Sequence, residues 1–289
     1  MTLQSLDFSI QPDIERLYLQ YGHGNSALHF SSLYVWRHEM QLSVWLEPEL
    51  FAIKAAWRGE NYWFFPCGDA MSKIRFLRSA AVHPSLRLCY ACSEDVDFCT
   101  QHVPGLYQFS HAPEDDEYLY DRSVQIAMNG KQFRHQRNAL NHVLAAHTLS
   151  VRPLCGETLC DAFCVLKNWA KIGHTISTSG LIGYNAIEEL LRSYERLAVT
   201  GIVVYEKGVP KALAAGYCLT SDCFDLSACI QCAGDPDFSV FARHRLLQVL
   251  PDSIRTINAE EDLGIAGLRT LKQGMFPCKI IQTYEGKML

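Results

Sequence analysis

Two stretches of this sequence concentrate side chains that could do chemistry. The first reads Asn258-Ala-Glu-Glu-Asp-Leu-Gly-Ile-Ala-Gly-Leu-Arg-Thr-Leu-Lys-Gln-Gly274. An apolar run at residues 254–257 predicts a strand before it. Asp262 predicts the N-cap of a following helix, because its carboxylate accepts the backbone N–H groups left open at a helix start. Gly274 predicts its end. Inside that predicted helix Gly264 and Gly267 share one face, and Arg269 and Lys272 follow one turn on. Glycine within a helix is less favourable than alanine by about 1 kcal/mol. The pair therefore implies either close packing of another backbone or a face approached by a ligand.

The second stretch, residues 131–147, predicts a helix whose apolar stripe is Phe133, Leu140, Val143, Leu144 and His147. Gln136 and Arg137 interrupt the stripe. A guanidinium on an inner face needs a partner, since an unpaired buried charge is very unfavourable. Either Arg137 clamps a carboxylate or backbone carbonyls, or this turn lines a cleft where Arg137 meets an anionic ligand. Lys131, Arg134 and His135 form a positive stripe on the more exposed side, a pattern that on its own describes a solvated helix face.

Two Cys-x-x-Cys pairs, Cys89 with Cys92 and Cys229 with Cys232, could form a zinc site only by meeting in space. Both lie in or beside strand-like apolar runs, where cysteine serves as a small hydrophobe, so no metal is expected. The acidic run at residues 112–117 reads as a solvated loop. His23 and His29 read as solvated or core histidines.

The elements that must position these residues follow from composition and periodicity. The 289 residues are 48% hydrophobic and 20% charged, enough for two ordinary domains with their own cores. The net charge of −5 excludes a uniformly basic nucleic-acid surface. No apolar run reaches the roughly 18 residues that span a bilayer, and the N-terminus lacks a signal-peptide pattern, so a cytoplasmic chain with reduced cysteines is expected. The first half predicts a helix, an antiparallel meander at residues 42–66, then helices at 70–81 and 94–102 alternating with strands at 86–90 and 106–110. The second half predicts helices at 157–172 and 184–198, a glycine-rich loop at 173–183 and a hairpin around residues 206–211. A strand at 224–231, a helix at 238–250 and a last strand at 278–283 complete it. The fold class is α/β (α+β), with helices flanking mixed, mostly antiparallel sheets. The order in the second half resembles the GNAT-type N-acetyltransferase fold. The first half follows a rougher version of it, without a residue-level repeat. Domains at residues 1–148 and 149–289 are expected.

Three motifs carry a more specific resemblance. Asp262-Leu263-Gly264 and Gly267-Leu268-Arg269, then Lys272 and Pro277, resemble the closing signature of the phosphatidylglycerol lysyltransferase C-terminal family. Residues 118–121, Gly130-Lys131, Phe133, Arg137-Asn138 and Asn141 resemble its middle motif, and Leu33-Tyr34-Val35-Trp36-Arg37 a segment near its start. This family, like the Fem-type peptidoglycan transferases it is similar to, moves an aminoacyl group from aminoacyl-tRNA to an acceptor. The resemblance implies tandem GNAT-like acyltransferase domains, aminoacyl-tRNA as donor, and a small molecule or lipid headgroup as acceptor. It requires no metal and no covalent intermediate, only positioning and charge stabilisation. It implies a ligand-binding role for Lys131, Arg134, Arg137, Asn138, Asn141, Gly264, Gly267, Arg269 and Lys272, the cations orienting tRNA phosphates. Asp262 is its proton-accepting carboxylate, with Asp225 and Glu206 as further candidates from their strand and hairpin positions. At Phe224-Asp225-Leu226 the lysine expected of the family is missing. The alternatives are a CoA-dependent N-acetyltransferase on a small amine and a non-catalytic relative that binds an anionic ligand. Acyl-CoA is the less favoured donor, because the loop Gln231-Cys-Ala-Gly-Asp-Pro-Asp-Phe238 would set aspartates where a pyrophosphate sits.

Overall fold

The computed structural model describes residues 2–57, 59–80, 87–172, 176–177, 180–181, 183–234 and 237–289. The predicted loop at residues 173–183 lies mostly outside the described residues, as do Asp235 and Pro236. The chain forms two compact units. One comprises residues 1–118, 261–270 and 280–289, the other residues 119–260 and 271–279.

The first unit opens with β1 (Gln4–Ser5), α1 (Gln11–Tyr21), a 3-10 turn at Ser26–Leu28 and α2 (Phe30–Trp36). Pro12 sits in the first turn of α1, where its missing N–H has no intrahelical partner to lose, and the helix buries Ile14, Leu17 and Tyr18. The predicted meander is β2 (Ser43–Glu47), β3 (Leu50–Trp57) and β4 (Glu60–Phe64), joined by antiparallel ladders. Next come β5 (Cys67–Gly68), α3 (Ala70–Ala80), β6 (Arg87–Ala91), α4 (Ser93–His102) and β7 (Tyr107–His111). Phe65, Phe76, Leu77, Leu88 and Tyr107 belong to the core that α3 and α4 help cover.

The chain continues through β8 (Glu117–Asp121), α5 (Arg122–Ala127), α6 (Arg134–Ala146), β9 (Leu149–Pro153) and α7 (Leu159–Ala170). After the short β10 (Ile176–Ser177) and β11 (Gly180–Leu181) comes α8 (Tyr184–Arg192), shorter than the 184–198 expected. Its buried Ala186, Ile187, Leu190 and Leu191 carry the predicted amphipathic face. β12 (Thr200–Glu206) and β13 (Val209–Cys218) form the predicted hairpin. Its turn, Lys207-Gly208, has φ of 49° and 78°, the left-handed pair that a tight antiparallel turn demands. β14 (Cys223–Gln231), α9 (Phe238–Val249), β15 (Thr256–Asn258), α10 (Ala266–Gly274) and β16 (Lys279–Ile281) follow. The sheet order is β16-β8-β15-β14-β13-β12-β9, with β14 and β15 parallel.

A last strand, β17 (Tyr284–Met288), inserts between β6 and β7, giving the first unit's sheet the order β1-β2-β3-β4-β6-β17-β7. This corrects the expectation that the final strand is residues 278–283. The helix start also differs from expectation. Residues 262–265 form a turn, with Leu263 at φ 55° and Gly264 at φ 72°, and α10 begins at Ala266. Gly264 is therefore the left-handed residue of a turn, a conformation glycine adopts without steric penalty. Gly267 lies in the first helical turn, and a Cβ placed there would meet nothing within 4 Å. Close packing does not account for either glycine.

Candidate functional site

The turn after β7 and the first residue of β8 carry four consecutive carboxylates, Glu114 to Glu117, and the structure gives them different work. Asp116 is buried and holds backbone: its Oδ1 accepts from the Thr283 N–H at 2.9 Å, and His111 Nε2 lies 2.9 Å from either oxygen. Glu117 Oε1 accepts from the backbone N–H and the hydroxyl of Ser26, both at 2.8 Å. The backbone N–H of Asp115 donates to the Ala112 carbonyl at 3.0 Å, while its carboxylate has no hydrogen-bond or ion-pair partner among the described residues. Burial, then the nearby charges of Glu261, Glu114, Glu285 and Asp116, push its carboxyl up to about 7. A carboxylate poised there takes and returns protons at neutral pH.

Beside this turn the chain comes back through residues 261–269, where the Leu263 N–H donates to the Glu114 carbonyl at 3.1 Å. Asp262 is fully buried. Its Oδ2 accepts from Tyr118 Oη and from Arg269 Nε, both at 2.7 Å, and its Oδ1 from Arg269 Nη2 at 2.9 Å and the Gly264 N–H at 3.0 Å. Burial alone would raise this carboxyl, but hydrogen bonds from Arg269, Tyr118 and Gly264 hold it below its ordinary value. The same contacts raise Arg269, and burial with the bond to Asp262 pushes the Tyr118 phenol up to about 12. Asp262 is thus a weak base with both oxygens engaged. Arg269 keeps 37% of its side chain exposed, and its Nη1 donates to no described group. The result is a guanidinium fixed on one edge and open on the other, its Nη2 also donating at 3.3 Å to the Pro113 carbonyl of the turn that carries Asp115.

The remaining expected residues separate by unit. Asp225 is fully buried in β14 and accepts from Ser227 Oγ at 2.5 Å. Glu206 Oε1 lies 2.5 Å from His147 Nδ1, and its Oε2 is 3.5 Å from Lys211 Nζ. Lys272 is buried and its ammonium donates to the Ala259 carbonyl. The guanidinium of Arg137 donates to the carbonyls of Met128 and, at 2.7 Å, Gly130, closing the end of α5. Of the two accounts of Arg137, the clamp on backbone is the one present. Lys131, Arg134, Asn138 and Asn141 are exposed, and their side chains pair with no described group. Asp262, Gly264, Gly267 and Arg269 lie in the first unit, and Lys131, Arg134, Arg137, Asn138, Asn141, Asp225 and Lys272 in the second.

Sequence reasoning missed Asp115. The available signal was the pairing of two acidic runs, residues 114–117 and 260–262, each too short to stand out alone. One described trio, His23, Cys92 and Asp95, has metal-type ligand atoms within 4.8 Å of one another. There the Asp95 carboxylate already accepts from the Cys92 N–H and thiol, both at 3.1 Å, as a helix cap. Burial pushes the Cys92 thiol up, away from the thiolate a metal needs. All described cysteines are free. At the start of α9 the Ser239 N–H, which a pyrophosphate would claim, donates to Gln231 Oε1 at 2.7 Å.

The family described as phosphatidylglycerol lysyltransferase, C-terminal, matches residues 18–226. Among solved structures, a conserved protein of unknown function from Bacteroides thetaiotaomicron VPI-5482 is 20% identical, with TM-score 0.89 and full coverage of both chains. L-PGS from Bacillus licheniformis is 14% identical with TM-score 0.67, covering 98% of this chain and 92% of that one. FemX is 8% identical with TM-score 0.63, covering 100% and 98%. These likenesses establish a shared fold. No curated protein matches the sequence. Among the described residues no helix is long and apolar enough to cross a membrane.

Proposed function

This chain belongs to the phosphatidylglycerol lysyltransferase C-terminal family, and from that premise we propose that it is an acyltransferase that moves an aminoacyl group from aminoacyl-tRNA to an amine or hydroxyl acceptor. The observation that carries the reading is Asp115, an unpartnered carboxylate poised at about 7 on the turn that also meets the anchored Arg269. In this reading the acceptor's nitrogen or oxygen attacks the ester carbonyl while Asp115 takes its proton. The new bond to carbon forms, the carbon–oxygen bond to the ribose breaks, and the proton passes from Asp115 to the departing ribose oxygen. The open edge of Arg269 faces negative charge, either a donor phosphate or the oxyanion of the tetrahedral centre. Asp262 and Tyr118 act as positioning residues that hold it.

The exposed Lys131, Arg134, Asn138 and Asn141 along α6 are assigned to sequence-independent contact with the tRNA backbone. Gly264 gives the turn before α10 its left-handed backbone, and Gly267 leaves open space on the first turn of that helix. Arg137, Lys272 and Asp225 are assigned to the framework. We read the chain as a tandem divided at residues 1–148 and 149–289, in which β8 joins the second sheet and β17 the first. The side chain of Gln231 at the start of α9 tells against acyl-CoA as donor. The missing lysine beside Asp225 leaves the acceptor open between a small molecule and a lipid headgroup.

A donor screen tests the proposal. Purified protein is incubated separately with a labelled mixed aminoacyl-tRNA pool and with acetyl-CoA, with a mixture of small amines and phosphatidylglycerol vesicles as acceptors. Loss from the tRNA pool above spontaneous hydrolysis, with label appearing in an acceptor, supports it. Loss from acetyl-CoA alone overturns it.

A further inference from the structure

A buried tyrosine stands beside the acidic turn of the first unit. The Leu263 N–H donates to the Glu114 carbonyl at 3.1 Å, and the Ala112 N–H to the Thr283 carbonyl at 2.9 Å, so residues 112–115 and 261–263 meet at the start of β17. There Tyr284 pairs with Ala91 on one side and His111 on the other, which sets Tyr90 beside the turn that follows His111. Tyr90 is 8% exposed and its ring packs on Phe64, with centroids 4.6 Å apart. Its backbone takes φ 58° within a strand, a conformation bulky residues rarely adopt. Its carbonyl accepts from Asn25 Nδ2 at 3.0 Å, while its hydroxyl has no partner among the described residues. Burial, then the charges of Asp115 and Glu261, hold the phenol well above its ordinary value, so it stays an O–H. Buried hydroxyls are nearly always hydrogen-bonded, so this one calls for a ligand.

The charge around that hydroxyl is unbalanced. The leading charges at Asp115 are Glu261, Glu114, Glu285 and Asp116, all negative. Arg87 is committed to Glu285 and Glu60, Lys287 to Glu285, and Arg269 to Asp262. A neutral alcohol would leave that field as it is, whereas an ammonium would offset it. Among the described residues no three of these carboxylates bring ligand atoms within 4.8 Å of one another, so the group does not close on a metal ion. It opens to solvent, with Glu114 exposed and Asp115 and Glu261 half-buried, and Tyr90 lies beneath them.

We propose that Asp115, Glu261 and Tyr90 form a site for a primary ammonium, and that the acceptor in the transfer is a primary amine rather than an alcohol. The acceptor assignment rests on the transferase reading above; the ammonium site does not. The ammonium donates to the carboxylates of Asp115 and Glu261 and to Tyr90 Oη. Asp115 then takes one of its protons, leaving a neutral amine with a lone pair. The nitrogen attacks the ester carbonyl and the carbon–nitrogen bond forms. The carbon–oxygen bond to the ribose breaks, the proton on Asp115 passes to the ribose oxygen, and the second surplus proton on nitrogen goes to water. An amide and a free ribose hydroxyl result.

The test has a binding arm and a transfer arm, both on the whole protein. Titration calorimetry at pH 7 and fixed ionic strength compares ethanolamine, choline and ethylene glycol. Ethanolamine is protonated there, as alkyl amines are. Ethylene glycol matches its shape without the charge, and choline carries the charge without an N–H. Wild type is expected to bind ethanolamine at least about tenfold more tightly than either. Glu261→Gln should weaken ethanolamine at least about tenfold and Tyr90→Phe about threefold or more, with thermal unfolding showing that each variant folds. No ethanolamine binding, equal binding of the three compounds, or undiminished ethanolamine binding in a folded variant overturns the site. In the transfer arm, labelled aminoacyl-tRNA is supplied with ethanolamine or with ethylene glycol. An alkali-stable amide formed faster than without protein supports the amine acceptor, and an alkali-labile ester of ethylene glycol formed as fast or faster overturns it. No product from either, with ethanolamine binding intact, refutes the transferase reading and the acceptor assignment with it, while the ammonium site stands.

Discussion

Asp262 and Arg269 are joined edge to edge, Nε to Oδ2 at 2.7 Å and Nη2 to Oδ1 at 2.9 Å, with the carboxylate fully buried and the guanidinium half open to solvent. In this pair the carboxylate anchors a cation on both of its oxygens. Arg269→Ala should destabilise the fold by about 3 kcal/mol, because it strands a buried negative charge that Tyr118 and the Gly264 N–H only partly satisfy. Arg269→Lys should restore much of the stability and little of the transfer rate, since an ammonium does not reproduce the two-point contact. Urea unfolding and single-turnover kinetics on both variants separate the two effects.

The depressed Asp262 fixes the sign of one pH effect. Its folded-state carboxyl lies below its unfolded value. Its stabilisation is therefore present above the ordinary carboxylate range and lost as pH falls through the folded value. Asp115 has the opposite sign. It is raised to about 7 when folded, so it favours folding at low pH and opposes it as pH rises from the unfolded value through about 7. Asp115→Asn should raise the melting temperature at pH 8 by ~2–4 °C, the shift about 1 kcal/mol gives in a chain of this size, and should change it little at pH 4. Differential scanning fluorimetry across pH checks both signs.

Arg137 offers a contrast between clamp and ligand contact. Its guanidinium closes the carbonyls of Met128, itself at φ 46°, and Gly130. Arg137→Ala should cost about 2 kcal/mol, the worth of charged hydrogen bonds to backbone. Affinity for tRNA, measured by filter binding on the folded fraction, should move less than twofold. A tenfold loss of affinity with unchanged stability would return Arg137 to the ligand.

The two glycines of the closing motif should respond in opposite directions. Gly264→Ala forces a side chain into φ 72° and should destabilise by about 1 kcal/mol. Gly267→Ala adds a methyl to open space in a helix and should stabilise by about 0.5–1 kcal/mol. If that open face receives the donor, the same methyl lowers the transfer rate.

The helices α6, α8 and α9 and the β12–β13 hairpin were legible because periodicity and turn chemistry are local. The last strand was not. Residues 284–288, Tyr-Glu-Gly-Lys-Met, have a mostly polar pattern that becomes a strand only between β6 and β7, the neighbours that complete its ladders. Asp262 and Arg269 were both legible as a motif, while their bond to each other was not, because a turn replaced the expected helix start. Asp115 was hidden for a related reason. Its character comes first from burial, then from the charges of Glu261, Glu114, Glu285 and Asp116, and a carboxylate within an acidic run reads as solvated until its distant neighbours are placed.

The role of Asp115 is tested most directly by the single-turnover rate of aminoacyl-tRNA loss against pH, corrected for spontaneous hydrolysis. For wild type the account predicts a rate that rises with pH and levels off around an apparent pKa of about 7. Asp115→Asn should flatten that limb and fall about 10²–10⁴-fold. An Asp115→Asn variant that folds and keeps both the rate and the pH limb would contradict it.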